Sequence, residues 1–177
     1  MSRFQAREDG CITLIGMAGA GKSTLGPMVA ERLGFTHLDT DRLIEAYYGC
    51  PLQQVLDAYG LDEFKRIEES LVADLRINHA VISTGGSVIY GPSAVARLKR
   101  LGAVVHLRIP REAFLTRVGS AEGRGLAKPA GKSMEELFDE RLPLYEAAAD
   151  HDVDTAAETP DESADNIAAW WRAHLES

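Results

Sequence analysis

The sequence predicts an α/β fold in which a parallel sheet is covered by helices on both faces. Short β-leaning apolar runs alternate with helix-periodic segments along the chain. A glycine-rich turn follows the first apolar run and opens the first helix. The 177 residues, 45% hydrophobic and 26% charged, suit one globular domain spanning 1–177 and exclude a disordered, collagen-like or coiled-coil chain.

The elements follow in order. CITLIG at 11–16 is short and continuously apolar, as a strand buried on both faces must be. A helix over 22–33 places Leu25, Val29 and Leu33 on one face at spacings of four. A short strand over 35–39 precedes two short helices, 41–48 and 51–59, broken at Gly49 and Gly60. A longer helix over 61–78 carries Phe64, Ile67, Leu71 and Leu75 on its apolar stripe. AVIST at 80–84 is a strand, 93–101 a helix ended near Gly102, VVHLRI at 104–109 a strand and 111–118 a helix. Gly119, Gly123, Gly125, Gly131 and Pro129 make 119–132 a mobile loop. A helix over 133–148, a strand over 151–153 and a helix over 162–175 complete the chain, with Trp170 and Trp171 as core and edge packing. Parallel sheets of this kind bind ligands at the carboxyl ends of their strands. Gly16, Asp39 and Thr84 should therefore converge there.

The net charge of −8 leaves no dominant basic surface for nucleic acid or an anionic membrane. Cys11 and Cys50 form no disulfide framework, and no Cys/His spacing suggests zinc. MSRFQAREDG lacks the apolar run of a signal peptide, and no stretch reaches the ~18 apolar residues of a membrane span. The expected address is a reducing cytoplasm and the expected state a monomer.

The sharpest motif is Gly16-Met-Ala-Gly19-Ala20-Gly21-Lys22-Ser23, a G-x-x-x-x-G-K-[ST] pattern placed between a strand and a helix. Its glycines let successive N–H groups aim inward as an anion nest, and the helix N-terminus adds positive potential. Lys22 supplies a cation for β- and γ-phosphates and Ser23 a hydroxyl for Mg²⁺. The motif implies a nucleoside triphosphate.

Asp39 and Asp41, in LDTD, can hold magnesium through water and orient an acceptor hydroxyl, or simply cap the next helix. Thr84-Gly85-Gly86-Ser87 lets backbone approach a ligand, or is an ordinary tight turn. Lys65, Glu68 and Glu69 share one helix side, and taken alone read as a solvent-facing ion pair. Arg141 interrupts the apolar stripe Met134, Leu137, Phe138, Tyr145, so it either snorkels or meets a buried anion. Arg117 and Arg124 bracket the glycine-rich loop. With no room for a GTPase switch apparatus or a motor, phosphoryl transfer to a small hydroxyl compound fits best. A nucleotide-binding regulatory module without catalysis is the alternative of another class.

Over nearly its whole length the chain resembles the shikimate kinase family. The resemblance rests on GMAGAGKST at 16–24, LDTD at 38–41, EFKRIEE at 63–69, STGGS at 83–87, GRGLA at 123–127, RLPLY at 141–145 and VDTAAETP at 153–160. It implies a P-loop NTPase of the nucleoside monophosphate kinase-like type, a three-layer sandwich with a five-stranded parallel sheet. A lid would span 119–132 and an acceptor-binding region about 40–78. Gly16, Gly19, Ala20, Gly21, Lys22, Ser23 and Thr24 would hold ATP phosphates, Ser23 and Asp39 the Mg²⁺, and Arg117 and Pro160 the adenine. Asp41 would bind the acceptor hydroxyl and take its proton, and Arg124 would be the lid cation. Lys65, Glu68, Gly85, Gly86, Ser87 and Arg141 would line the acceptor site, with Arg141 on a carboxylate.

Three departures stand out. The family places arginine where Lys65 stands, a third glycine where Ser87 stands, and Arg-Pro-Leu-Leu where this chain has Arg124-Gly-Leu-Ala. Lysine keeps the charge but loses the planar fork, and serine restricts backbone where a ring would press. Changes concentrated on the acceptor side favour L-homoserine as substrate, giving O-phospho-L-homoserine for threonine biosynthesis. Shikimate, phosphorylated at its 3-hydroxyl for aromatic amino acid biosynthesis, is the alternative, and hydroxy acids such as gluconate follow.

Overall fold

A computed structural model describes residues 10–119 and 127–176. Five parallel strands, β1 (Cys11–Ile15), β2 (Thr36–Asp39), β3 (Ala80–Ser83), β4 (Gly102–Arg108) and β5 (His151–Asp154), form one sheet in the order β2-β3-β1-β4-β5. β1 and β3 are buried at every residue, whereas the edge strands β2 and β5 are mostly half-buried or exposed. That gradient explains why only the inner strands read as unbroken apolar runs. The chain steps from β1 to one side for β2 and β3, then to the other for β4 and β5. The crevice at β1 is therefore the switch point where ligands gather.

Helix α1 (Lys22–Leu33) packs on β2, β3 and α7 (Pro160–Leu175). On the other layer, α3 (Leu52–Ala73) packs against α4 (Pro92–Leu101). The remaining helices are α2 (Thr40–Tyr48), α5 (Arg111–Gly119) and α6 (Met134–Ala148). The main core spans the sheet and both layers, with Trp171 inside it and Trp170 at its margin. A smaller cluster of Ile44, Val55, Phe64 and Ala127 lies apart, between α2, α3 and the segment returning from the 120–126 stretch. The acceptor-side helices thus rest on their own apolar seam.

Several expected boundaries move. The break expected at Gly60 is present: at φ 76°, ψ 168° it leaves the helical conformation and sets a kink between two helical stretches, 52–59 and 61–73, counted together as α3. α3 stops at Ala73, five residues before the expected end, because Asp74 leaves the helix and the Asn78 side chain accepts the His79 N–H in a local turn. α7 begins at Pro160 rather than 162. Thr159 caps it and Glu162 returns the capping bond, with proline at the first helical position, where its missing N–H costs nothing. Among the described residues no helix is long and apolar enough to cross a membrane.

Candidate active site

The nucleotide side is built from main chain. Gly16 leaves β1 at φ 141°, and a Cβ there would lie 2.6 Å from the Leu107 carbonyl oxygen, so only glycine fits. Gly21 precedes α1 in a left-handed conformation and offers no side-chain cap. No side chain at the cap therefore competes with an anion for the N–H groups that open α1, ahead of the Thr24 N–H, which bonds the Gly21 carbonyl at 3.0 Å. Lys22 is buried and folds back on its loop, its Nζ donating to the Gly16 and Met17 carbonyls at 2.7 Å each. Burial lowers its pKa to about 8, against the opposing pull of Asp41. The Ala20 carbonyl accepts a bond from the Thr155 hydroxyl at 3.1 Å, tying the loop to the end of β5. Ala20, Gly21, Thr24, Arg117, Thr155 and Pro160 line one cleft. Arg117 and Pro160, 43 residues apart in sequence and expected to flank a base, thus meet; an Arg117 Nη1 bond to the Gly19 carbonyl at 2.6 Å fixes the arginine to the loop.

Asp39 caps α2 with one oxygen and turns the other toward the phosphate loop. Its Oδ1 accepts the N–H groups of Asp41 and Arg42 at the start of α2, while Oδ2 accepts the Ser23 hydroxyl at 3.3 Å. A hydroxyl and a carboxylate oxygen at the mouth of the phosphate loop are the hard donors Mg²⁺ takes. Among the described residues no group of three or more His, Cys, Asp or Glu could hold a metal. Ser23 and Asp39 would hold a cation together with oxygens from the phosphates and water, and their hard oxygen donors fit Mg²⁺.

The acceptor side is built from buried charge. Asp41 lies in the first turn of α2, and burial, with Asp39 beside it, raises its carboxyl to about 6. Glu68 is 1% exposed, and burial raises it to about 7. The Ser87 hydroxyl donates to its Oε2, while its Oε1 has no partner among the described residues. A Cβ on Gly85 would lie 2.3 Å from that Oε1 and 2.6 Å from Asp41 Oδ1. The bare face of Gly85 is thus where the two carboxylates converge. A Cβ on Gly86 would come within 3.0 Å of Arg141 Nη1. Arg141, 1% exposed, donates from Nη2 to the Ala127 carbonyl at 2.5 Å and from Nε to the Tyr90 hydroxyl at 3.2 Å. Tyr145 donates to the Gly86 carbonyl at 2.6 Å and fixes the turn from behind.

The sequence-level ion pair on α3 is corrected here. Glu68 points into the protein, Glu69 accepts the Ser93 N–H at the start of α4, and the Lys65 ammonium sits 4.3 Å from the Tyr90 ring centroid. Arg141 does not snorkel: it is buried, and its hydrogen-bond partners are a carbonyl and a tyrosine hydroxyl rather than an anion. Arg124 and the rest of 120–126, within the loop expected over 119–132, lie outside the described residues. Tyr90 carried no sequence signal. Its place beside Lys65 and Arg141 comes from a single 3₁₀ turn, Val88–Tyr90, after the glycines.

Comparisons with known proteins agree with this geometry. The family model described as "Shikimate kinase" matches residues 18–172. The chain belongs to the shikimate kinase family. A shikimate kinase of Caldanaerobacter subterraneus subsp. tengcongensis is 32% identical over 159 residues, covering 88% of this chain and 92% of the relative. One from Thermodesulfovibrio yellowstonii is 34% identical over 159 residues, covering 88% and 91%. The solved structure of Acinetobacter baumannii shikimate kinase in complex with shikimate superposes with TM-score 0.82 at 28% identity, covering 95% of this chain and 96% of that one. As a member of the family the chain is an ATP-dependent small-molecule kinase that uses ATP and Mg²⁺.

These relatives lend the homoserine expectation no support and favour its alternative. The structure supplies a physical reason. Ser87 fills no vacated substrate space, because its hydroxyl is spent on Glu68.

Proposed function

We propose that the acceptor is shikimate and that the chain transfers the γ-phosphoryl group of ATP to its 3-hydroxyl, a step of aromatic amino acid biosynthesis. One observation carries this reading. Cations (Arg141, Lys65) lie at the Gly86 end of the turn, and two carboxylates (Asp41, Glu68) meet at Gly85. A ring acid bearing several hydroxyls presents its carboxylate to the first pair and its alcohols to the second.

The nest of Gly16, Gly19, Ala20 and Gly21, with Thr24 beside it, binds the phosphates through main-chain N–H groups. Lys22 leaves its carbonyl partners for the β- and γ-oxygens. Ser23 and Asp39 hold Mg²⁺, which neutralises phosphate charge when bound. Arg117 and Pro160 enclose the adenine. Asp41 orients the acceptor hydroxyl and takes its proton, and a carboxyl raised to about 6 is better matched to that task near neutrality than an ordinary one. Gly85, Gly86 and Ser87 form the wall against which the ring lies, and Arg124 is the cation of the lid. The free thiols of Cys11 and Cys50 suit a reducing cytoplasm.

The test is ADP release from MgATP, coupled to a spectrophotometric readout, with shikimate and L-homoserine offered separately. Turnover with shikimate is expected. Turnover with homoserine alone overturns the reading.

A further inference from the structure

We propose that Tyr90 is the specificity-determining positioning residue of the acceptor site, holding Lys65 and Arg141 on one aromatic scaffold where they receive the acceptor's carboxylate. This inference rests on the reading of the acceptor as a hydroxy acid.

The Lys65 ammonium lies 4.3 Å from the Tyr90 ring centroid, and the Arg141 guanidinium carbon lies 5.2 Å from the same centroid. Arg141 also donates from Nε to the Tyr90 hydroxyl, and that hydroxyl donates to Glu140. Glu140, the acid nearest to competing for Lys65, is taken up by Lys132 as well as by Tyr90. No ion pair therefore holds Lys65 among the described residues. Its ammonium rests on a π-face, which localises the charge without neutralising it.

Lysine needs this help more than arginine does. Its ammonium is a point charge on a flexible stem, and freezing that stem costs side-chain entropy when the ligand binds. An aromatic face beneath it bears part of that cost before the ligand arrives. The scaffold is rigid because Tyr90 closes the 3₁₀ turn after Ser87, and the Tyr90 N–H bonds the Ser87 carbonyl at 3.0 Å. The same turn that carries Gly86 against Arg141 therefore also fixes the ring beneath the lysine.

The test is steady-state kinetics on purified wild type, Tyr90→Phe, Tyr90→Leu, Lys65→Met and the Tyr90→Leu/Lys65→Met double variant, varying acceptor and ATP separately. Tyr90→Leu should raise the acceptor KM about tenfold, with kcat and the KM for ATP within about twofold. Tyr90→Phe keeps the ring under Lys65 and should recover most of the loss. In the double variant the two penalties should fall well short of multiplying, since each removes the same contact. An unchanged acceptor KM in Tyr90→Leu, a Phe variant as poor as the Leu variant, or penalties that multiply overturns the proposal. So does a general loss in kcat and ATP KM, which marks a merely structural residue. Wild-type turnover of shikimate tests the proposed function separately. If wild type prefers another hydroxy acid, that reading fails and the same variants measured with that acid decide on Tyr90. Absence of turnover with any carboxylate acceptor overturns both.

Discussion

At the nucleotide end of the site, Lys22 finds its partners in two carbonyls of its own loop, and the remaining donors are main-chain N–H groups. At the acceptor end, Arg141 on α6 reaches the Ala127 carbonyl and the Tyr90 hydroxyl, and Glu68 on α3 reaches Ser87 after β3. One end is thus a local backbone shape and the other a meeting of distant side chains. Main-chain donors do not change when residues are substituted, so the backbone end tolerates little but glycine and keeps one chemistry. The side-chain end can exchange a lysine for an arginine or a serine for a glycine and rebalance the contacts, as Lys65 on Tyr90 and Ser87 on Glu68 do. Specificity is adjusted where the contacts are separable.

The comparison breaks most sharply at Lys22. Lys22→Ala should reduce kcat by about 10²–10³-fold or more, because a preorganised cation at developing phosphate charge has no substitute in the loop. Near-normal kcat by ADP release would show that main-chain donors alone suffice. Asp41→Asn should cost about 10²–10⁴-fold in kcat while leaving ATP affinity, measured by calorimetry, nearly intact. In wild type, protonated Asp41 cannot accept the hydroxyl proton, so kcat should fall as pH drops through about 6. That acid limb should vanish in the asparagine variant. A collapse of ATP affinity would instead move Asp41 to the metal side.

The same division governs what was legible beforehand. The phosphate loop, its lysine and the strand–helix setting are contiguous in sequence, and their spacing states the geometry. The sheet follows from apolar runs that are apolar because they are buried on both faces. Glu68 was harder, because spacing on one helix cannot tell which side faces solvent when α4 packs across it and takes Glu69. Tyr90 was not legible at all. An aromatic after a glycine turn is ordinary, and its importance depends on α3 and α6 bringing Lys65 and Arg141 to the same ring. The homoserine expectation read the changes at 65 and 87 as a site reshaped for another acceptor, whereas each side chain has a partner within the protein.

A smaller effect sharpens the energetic side of the comparison. Glu68 is buried with one oxygen unpartnered among the described residues, and its pKa is raised from the ordinary carboxylate range to about 7. Between those values the folded chain keeps a proton that the unfolded chain has released. Stability should therefore fall as pH rises through that window and stay lower above it. Glu68→Gln removes the ionisation and should be more stable than wild type at pH 8 by about 1–3 kcal/mol, with the difference shrinking toward pH 5. Urea unfolding at the two pH values measures it. A glutamine variant less stable at both would mean that the charge is stabilised by Arg141 and Lys22 more than burial penalises it.

The smallest expected effect is at Arg117. Its aliphatic stem lies against the bare face of Gly19, where a Cβ would sit 3.1 Å from Arg117 Cβ, and its guanidinium bonds the Gly19 carbonyl. Because the phosphate cradle stands on main chain, removing this side chain should leave the cradle in place and weaken only the enclosure of the base. Arg117→Ala should raise the KM for ATP about threefold to tenfold, with kcat and the acceptor KM unchanged. Inorganic triphosphate, which has no base to enclose, should bind the variant and wild type alike in calorimetry. Equal loss for ATP and triphosphate would mean that Arg117 shapes the loop itself, and that the nucleotide end also depends on a side chain from outside the loop.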